Sequence, residues 1–275
     1  MADSNSAVET AGGFASAGSY DNLILEKNAQ GVARLVLNRP ESLNSLSGPL
    51  TLELSEAFDK LSQDSEVRAI LLTGAGRGFS AGADLKAGTG GDPADWIRQY
   101  YNPLIIKMSQ LGKPIIAAVN GVAAGAGFSL ALACDIRIVS EKARFISAFI
   151  RIGLVPDSGL AYFLPRLVGL GRALEITATG EEVSAAKALE YGMVNQVVPA
   201  EELETASLVL ANKLAQGPTY AIGLTKKILG EGLEKSLAEV LEMEAAAQHH
   251  AGKSSDFREG VTAFIEKRTA QFKGQ

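Results

Sequence analysis

Apolar and polar positions in the first half of the chain switch between the two-residue period of strands and the 3.6-residue period of helices. The stretch LILEKNAQGVARLVLNRP alternates on both sides of a glycine-containing connection at residues 28–31, which predicts a β-hairpin. LTLELSEAFDKLSQD predicts a helix whose apolar stripe is Leu50, Leu54, Phe58 and Leu61. A buried strand (VRAILLTG), a helix over residues 92–111 and a second buried strand (PIIAAVNG) follow.

The second half of the chain becomes mainly helical. AGAGFSLALA predicts a helix that opens on glycines, and DIRIVSEKARFISA predicts two short strands. From about residue 160 helices dominate, with the single strand VNQVV among them. We therefore predict an α/β core over residues 19–205 and a helical subdomain or oligomerisation arm over residues 206–275. The small, polar residues 1–18 predict a mobile tail.

Composition and charge exclude several classes of protein. The 275 residues are 47% hydrophobic and 21% charged, which is enough for a substantial core. A formal net charge of −5 argues against nucleic acid or an anionic membrane as the main partner. No apolar run reaches the roughly 18 residues of a membrane span. Because no targeting segment is apparent and the single cysteine, Cys134, predicts a buried residue without a disulfide, we expect a cytoplasmic protein.

Most familiar catalytic sets are missing from the sequence. Its two histidines, His249 and His250, are adjacent in a polar helix, which favours a solvated surface over a ligand pair. There is no CxxC or HExxH motif, so we expect no metal. LLTGAGRGFS resembles a nucleotide-binding turn, but no tyrosine precedes a lysine by four residues as in short-chain dehydrogenases. The chemistry that remains is that of carboxylates and backbone amides.

Two glycine-rich loops and one acidic residue are the remaining candidates. GFSAGADL and NGVAAGAGFSLALACD each follow a strand, where amides at a helix start can donate to an oxyanion. Either loop, taken alone, is also compatible with an ordinary tight turn. Asp157 lies behind a proline in IRIGLVPDSGLAYFLPRLVG, at a predicted corner between a strand and a helix. It predicts either a helix cap or, with the two loops, the single carboxylate base beside an oxyanion hole.

Four segments resemble successive signature blocks of the crotonase, or enoyl-CoA hydratase/isomerase, superfamily: RPESLNSLS, RGFSAGADL, KPIIAAVNGVAAGAGFSLALACDIRI and GLVPDSGLAYFLPRLVG. The resemblance covers residues 23–275 in the order and spacing of the family. It implies a spiral of ββα units and a C-terminal helical region that forms a homotrimer, often a dimer of trimers. It also implies an acyl-CoA substrate whose thioester oxygen is bound by the amides of Ala83 and Ala126.

The same resemblance implies roles for individual residues. Hydratases of the superfamily have glutamates at the positions of Ser129 and Phe149, and neither of these residues can perform the acid and base steps of hydration. Asp157 matches the position at which isomerases and aryl-CoA dehalogenases of the superfamily have their working carboxylate. The residues implied at the CoA or acyl moiety are Ala81, Asp84, Leu85, Tyr101, Asn102, Phe264 and Lys267. For Asp84 a structural role is the alternative, and for Lys267 a solvated helix face.

Two further segments resemble one branch of this superfamily: YYNPLIIKMSQLGKPIIAAVNGVAAGAG and AGKSSDFREGVTAFIEKRTAQFKG. Members of that branch isomerise ring 1,2-epoxyphenylacetyl-CoA to oxepin-CoA in phenylacetate degradation, which implies proton transfer by Asp157 without a cofactor other than the CoA of the substrate. The alternatives are a Δ3,Δ2-enoyl-CoA isomerase of fatty-acid oxidation and a catalytically silent subunit. Burial among Leu154, Val155 and Leu160 would raise the pKa of Asp157 and a helix start would lower it, so its direction stays open.

Overall fold

Two β-sheets of unequal size form the framework of the chain. The computed structural model describes residues 13–85 and 91–275. Within these ranges the strands are β1 (Phe14–Ser16), β2 (Leu23–Asn28), β3 (Val32–Leu37), β4 (Ala69–Gly74), β5 (Gly78–Ser80), β6 (Ile115–Val119), β7 (Val122–Ala124), β8 (Ile136–Ser140), β9 (Arg144–Ile146), β10 (Glu182–Ser184) and β11 (Gln196–Val198). The larger sheet has the order β1-β2-β3-β4-β6-β8-β11 and the smaller sheet the order β10-β9-β7-β5.

Helices connect the strands and form the C-terminal end of the chain. They are α1 (Gly48–Gln63), α2 (Pro93–Trp96), α3 (Asn102–Gln110), α4 (Ala126–Ala133), α5 (Leu160–Val168), α6 (Leu170–Thr179), α7 (Ala185–Glu190), α8 (Leu203–Ala215), α9 (Thr219–Gly232), α10 (Leu237–Ala251) and α11 (Ser255–Glu266). A π-helical turn, Ile97–Tyr101, joins α2 to α3, so the helix predicted over residues 92–111 is present with an irregular middle. None of the helices in the described ranges combines the length and apolarity that crossing a bilayer requires.

Successive strand pairs contribute one strand to each sheet. The pairs β4–β5, β6–β7 and β8–β9 place their first strands side by side and parallel in the larger sheet. Their second strands are likewise parallel neighbours in the smaller sheet. A helical segment follows each pair, which gives the spiral of ββα units that the resemblance implies. Because β5 and β7 run parallel side by side, the loops that follow them start at the same edge of the smaller sheet.

The strongest periodic patterns of the sequence are confirmed. All four residues of the predicted α1 stripe are buried in the core: Leu50, Leu54, Phe58 and Leu61. The predicted hairpin is the antiparallel pair β2–β3. The strands β4 and β6 are almost entirely buried because helices or the second sheet cover both of their faces. Cys134 is buried, and burial raises the pKa of its thiol to about 12.

Three local predictions are wrong. The predicted tail ends too late, because β1 lies within it and pairs with β2; its Phe14 is buried, with the Arg34 guanidinium 4.3 Å from the ring centre. Residues 1–12 of that tail lie outside the described ranges. β10 was not predicted, since three residues are too short for a periodic signal. The segment Ala148–Ile152 before Asp157 is a 3-10 helix and not a strand.

The C-terminal helices divide into two groups. α8 packs on the larger sheet and buries Ala211 and Ala215 there, so the predicted boundary between residues 205 and 206 cuts a helix that belongs to the core. α9 is attached to the core by an ion pair between Lys226 Nζ and Asp135 Oδ2 at 3.0 Å. α10 and α11 are mostly exposed, and His249 and His250 lie on the exposed surface of α10, as predicted.

Candidate active site

The loops after β5 and β7 touch each other through a glycine. A Cβ atom on Gly82 would lie 2.5 Å from the Ala124 carbonyl oxygen and 3.2 Å from the Ala126 nitrogen. The φ angle of Gly82 is +90°, which also favours glycine. Any side chain at this position would therefore push the two loops apart. The close approach makes the two predicted amide donors, Ala83 and Ala126, neighbours in space.

Leu46 holds the loop that carries Ala83. Its amide donates to the Gly82 carbonyl at 2.7 Å, and its carbonyl accepts a bond from the Asp84 amide at 3.4 Å. These two bonds form a parallel bridge centred on Ala83. In such a bridge the N–H of the central residue points away from the partner strand. The Ala83 amide is therefore directed to the side opposite Leu46.

Ala126 is the first residue of α4. The residue before it, Gly125, has a φ of +51°, and no side chain caps the helix. The Gly125 amide donates to the Ile146 carbonyl at 2.9 Å, which ties the start of α4 to the end of β9. First-turn amides have no acceptor inside their helix, and a helix N-terminus favours negative charge. The Ala126 amide is thus placed to donate to a ligand oxygen.

Ser129 and Phe149 border this helix start. Ser129, one turn after Ala126, is buried, and its hydroxyl donates to the Asp157 carbonyl at 2.9 Å. The ring of Phe149 would lie 3.9 Å from a Cβ atom on Gly125. Neither side chain ionises. At the positions matched to the hydratase glutamates, Ser129 therefore holds the main chain of Asp157 and Phe149 provides an apolar surface beside Gly125.

Asp157 does not cap the helix that follows it. α5 begins after Gly159, which has a φ of +86° and makes no side-chain cap. The Asp157 carboxylate instead accepts a bond from the Ser158 hydroxyl at 2.7 Å. The cap interpretation of this residue is therefore wrong.

Burial sets the ionisation of Asp157. Burial raises the pKa of its carboxyl group and the bond from Ser158 lowers it, with a net rise. Leu160 is fully buried beside it, as expected. Leu154 and Val155 are 38% and 78% exposed, so the prediction that they bury Asp157 is wrong.

Tyr101 is bonded to the loop of Ala83 and lies near the charges of Asp157 and Asp84. Its hydroxyl is buried and donates to the Leu46 carbonyl at 3.0 Å. Burial raises the pKa of this phenol to about 12, and the negative charges of Asp157 and Asp84 add to the rise. Tyr101 therefore supports the loop of Ala83 with its hydroxyl. Its neighbour Asn102, which the resemblance places over the acyl group, is exposed.

The other residues implied at the CoA end have mixed surroundings. Asp84 pairs with Arg39 at 2.8 Å, which favours the structural alternative for Asp84. The Ala81 amide donates to the Leu43 carbonyl at 2.9 Å. Leu85 is 57% exposed at the edge of the loop, where a ligand can reach it.

The C-terminal candidates do not reach these loops within one chain. Phe264 is 86% exposed and Lys267 ends α11 in a left-handed conformation. The segment after α11 is attached to the core by Arg68, which donates to the Phe272 carbonyl at 2.8 Å. Arg68 directly precedes β4, whereas the glycine-rich loop follows the strands at the opposite end.

Sequence reasoning missed a support beneath the site. Asn44 is buried in a left-handed conformation, and its amide group donates to the carbonyls of Ala75 and Gly78 at 2.9 and 2.8 Å. Its side-chain oxygen accepts a bond from the Arg39 amide. The signal was the asparagine itself, because asparagine tolerates left-handed backbone and bonds readily to nearby main chain.

The spiral of ββα units, with the loops after β5 and β7 in contact, agrees with the crotonase fold that the resemblance implies. The chain belongs to the enoyl-CoA hydratase/isomerase family, whose model matches residues 27–275. It is 43% identical over 258 residues to the 1,2-epoxyphenylacetyl-CoA isomerase of Escherichia coli, covering 92% of this chain and 98% of the relative. It is 36% identical over 264 residues to the mitochondrial enoyl-CoA hydratase of Pongo abelii, covering 95% and 91% of the two chains. The crystal structure of an enoyl-CoA hydratase from Bacillus anthracis superposes with a TM-score of 0.87 at 37% identity, covering 93% of this chain and all of that one.

Proposed function

We propose that this enzyme isomerises an acyl-CoA thioester with Asp157 as the proton shuttle. The observation that carries the proposal is the half-buried Asp157 carboxylate, which caps no helix and whose main chain is bonded to the helix that starts at Ala126. Hydration needs an acid and a base acting on water, and Ser129 and Phe149 offer neither. The relative named as an isomerase supports the same reaction class.

A single carboxylate is sufficient for this reaction. In a 3-enoyl thioester, Asp157 would take a proton from C2, and the electron pair of the C2–H bond would move toward the thioester oxygen. The amides of Ala83 and Ala126 would stabilise that oxygen, and such a donor typically contributes about 10²- to 10³-fold in rate. Return of the proton to C4 moves the double bond from C3–C4 to C2–C3. No atom is gained or lost, so we propose that neither a metal nor a redox cofactor takes part.

For the acyl group we propose ring 1,2-epoxyphenylacetyl-CoA, converted to oxepin-CoA in phenylacetate degradation. The support is the isomerase of that name, which is 43% identical to this chain. The same carboxylate would transfer the proton while the three-membered ring opens and expands. A linear 3-enoyl-CoA of fatty-acid oxidation is the alternative substrate.

We propose that the CoA moiety lies along the loop of Ala81 and Leu85 and that the working form is a homotrimer or a dimer of trimers. In such an assembly Phe264 and Lys267 of a neighbouring copy would complete the CoA site. The exposure of Phe264 and the attachment of α11 at the far end of the core support a role between copies.

The test compares the parent enzyme with Asp157→Asn on 3-hexenoyl-CoA and on the ring epoxide. Formation of the conjugated 2-enoyl thioester is followed by absorbance, and the ring product by chromatography. We expect the kcat of the variant to fall by about 10²- to 10⁴-fold, which is the usual contribution of a general base. Asp95→Asn, which changes an exposed carboxylate in the same way, is the matched control and should keep full activity.

Three outcomes would contradict the proposal. Full activity of Asp157→Asn would remove Asp157 from the chemistry. Faster addition of water to a 2-enoyl-CoA than isomerisation of either substrate would make the enzyme a hydratase. Absence of turnover with all substrates would favour the catalytically silent alternative.

A further inference from the structure

Two buried serines donate hydrogen bonds to different groups of Asp157. The hydroxyl of Ser129 donates to the main-chain carbonyl of Asp157 at 2.9 Å. The hydroxyl of Ser158 donates to the Oδ1 atom of the Asp157 side chain at 2.7 Å. Both serines are buried, whereas Asp157 itself is half-buried. The main chain and the carboxylate of Asp157 are thus fixed by separate contacts.

The backbone of Ser158 indicates that its hydroxyl matters. Its φ angle is +52°, a left-handed conformation that disfavours residues with a Cβ atom, and Gly159 follows in the same region. On backbone grounds alone, glycine would suit position 158 better than serine. What serine adds is a hydroxyl group, and the partner of that hydroxyl is the carboxylate of Asp157.

Ser129 connects the base to the predicted oxyanion donor. It lies on α4, one turn after Ala126, and the Gly125 carbonyl is a second, longer acceptor for its hydroxyl proton at 3.3 Å. Its bond to Asp157 crosses 28 residues of sequence. One helix therefore carries the amide that would bind the thioester oxygen and the anchor of the group that would remove the adjacent proton.

We propose that Ser129 and Ser158 are positioning residues for Asp157: Ser129 sets the distance between the base and the Ala126 amide, and Ser158 aims and supports the carboxylate. The inference rests on the proposed function, in which Asp157 is the base. Neither serine is proposed to touch the substrate. Their loss should therefore lower kcat and leave KM within about twofold.

The hydrogen bond from Ser158 also acts on the ionisation of Asp157. It lowers a pKa that burial raises, so its removal should raise the pKa further. α4 itself carries no titratable residue. Among the described residues, Tyr101 is coupled electrostatically to Asp157 and to Asp84, which pairs with Arg39. On the elements before and after Asp157, Arg151 is bonded to the Gly180 carbonyl and Arg166 is stacked on Tyr162. Among the described residues, the side-chain donor to the Asp157 carboxylate is Ser158.

The decisive pair of variants is Ser158→Ala and Ser158→Gly. Both remove the hydroxyl, but only glycine relieves the left-handed backbone, so Ser158→Gly should melt at a higher temperature than Ser158→Ala. We expect both to lose about tenfold in kcat, in line with the loss of one bond to a charged group. In both, the acidic limb of the pH profile of kcat/KM should move to higher pH. If activity instead follows stability, and Ser158→Gly matches the parent, the role of Ser158 is only structural and the inference fails.

Ser129 is tested with Ser129→Ala against Ser207→Ala. Ser207 is equally buried, in α8, and its hydroxyl has no hydrogen-bond partner within the described ranges, so its loss should leave kcat unchanged. Ser129→Ala should lower kcat at constant KM without moving the acidic limb, because Ser129 does not contact the carboxylate. Equal kcat values in the two alanine variants would overturn the role of Ser129.

A readout without turnover separates this inference from the proposed function. The Asp157 carboxyl group is titrated by NMR in protein labelled with ¹³C at aspartate, with Asp157→Asn assigning the signal. We expect a higher pKa in Ser158→Ala and Ser158→Gly than in the parent, and no change in Ser207→Ala. An inactive parent would end the proposed function while this titration still decides on Ser158. Unchanged titration in both Ser158 variants would overturn its role.

Discussion

The two helices that begin at the site start differently from the two helices at the C-terminal end. α10 and α11 begin behind Ser236 and Ser254, whose hydroxyls accept bonds from first-turn amides. α4 and α5 begin behind Gly125 and Gly159, which have positive φ angles and no side-chain cap. At the C-terminal end the protein satisfies its own helix starts. At the candidate site, neither α4 nor α5 has a side-chain cap, and the Asp157 carboxylate caps neither helix.

The comparison bears on the role that we propose for Asp157. A side-chain cap typically stabilises a helix by about 1 kcal/mol, and Asp157 is a residue type that commonly supplies one. Here its carboxylate is half-buried beside Ser158 and the helix starts on a glycine instead. A local arrangement that breaks an ordinary capping rule is what we expect where a group is reserved for a ligand.

Among the changes at the helix starts, the largest effect is expected from Ala126→Pro. Proline is well tolerated at the first position of a helix and has no N–H, so the variant should keep its fold and lose one donor to the thioester oxygen. We expect kcat/KM to fall about 10²- to 10³-fold with little change in the thermal midpoint. Isomerase assays and thermal unfolding measure the two effects.

The matched control is Leu237→Pro, the same change at the first position of the capped helix α10. It should leave both activity and stability close to those of the parent. An Ala126→Pro enzyme as active as Leu237→Pro would show that the uncapped start of α4 does not serve the substrate.

A smaller effect is expected on stability when Asp157 is replaced by asparagine. Because burial raises the pKa of Asp157 above its ordinary value of 3.8, the folded state holds the proton more tightly than the unfolded state. Stability is therefore lost as the pH rises from the ordinary value through the raised one, and Asp157→Asn escapes this loss. At neutral pH the variant should be more stable by on the order of 1 kcal/mol. The difference should vanish in acid, as urea unfolding at several pH values would measure; a less stable variant at neutral pH would contradict it.

The sequence predicted what depends on local pattern or on matched blocks. The α1 stripe was predictable because four large apolar residues recur at helical spacing and a core covers them. The α4 helix start could be located because AGAG follows a buried strand. The pairing of Ala83 with Ala126 was predicted from the family resemblance alone, and the parallel pair β5–β7 explains their closeness.

The contacts that the sequence did not predict join residues that are far apart along the chain. The bond from Ser129 to Asp157, the pair of Arg39 with Asp84 and the bridge at Leu46 each depend on how the loops pack. The direction of the pKa of Asp157 is of the same kind, because burial and hydrogen bonding oppose each other. The apolar pattern also gave a wrong prediction for Val155, which is exposed, because the apolar character of a residue does not determine whether it faces the core or the surface.

The smallest effect on catalysis is expected from Ser236→Ala, which removes the hydroxyl that accepts a bond from the Glu239 amide and donates to the Glu239 carboxylate at the start of α10. The variant should lose about 0.5–2 kcal/mol of stability and keep its kcat, because Ser236 satisfies only the helix that it starts. Urea unfolding and the isomerase assay measure both quantities on the same preparation. The result would mirror Ala126→Pro, in which activity falls and stability does not. A fall in kcat at unchanged stability would instead mean that α10 is coupled to the site, and the contrast between the two kinds of helix start would no longer hold.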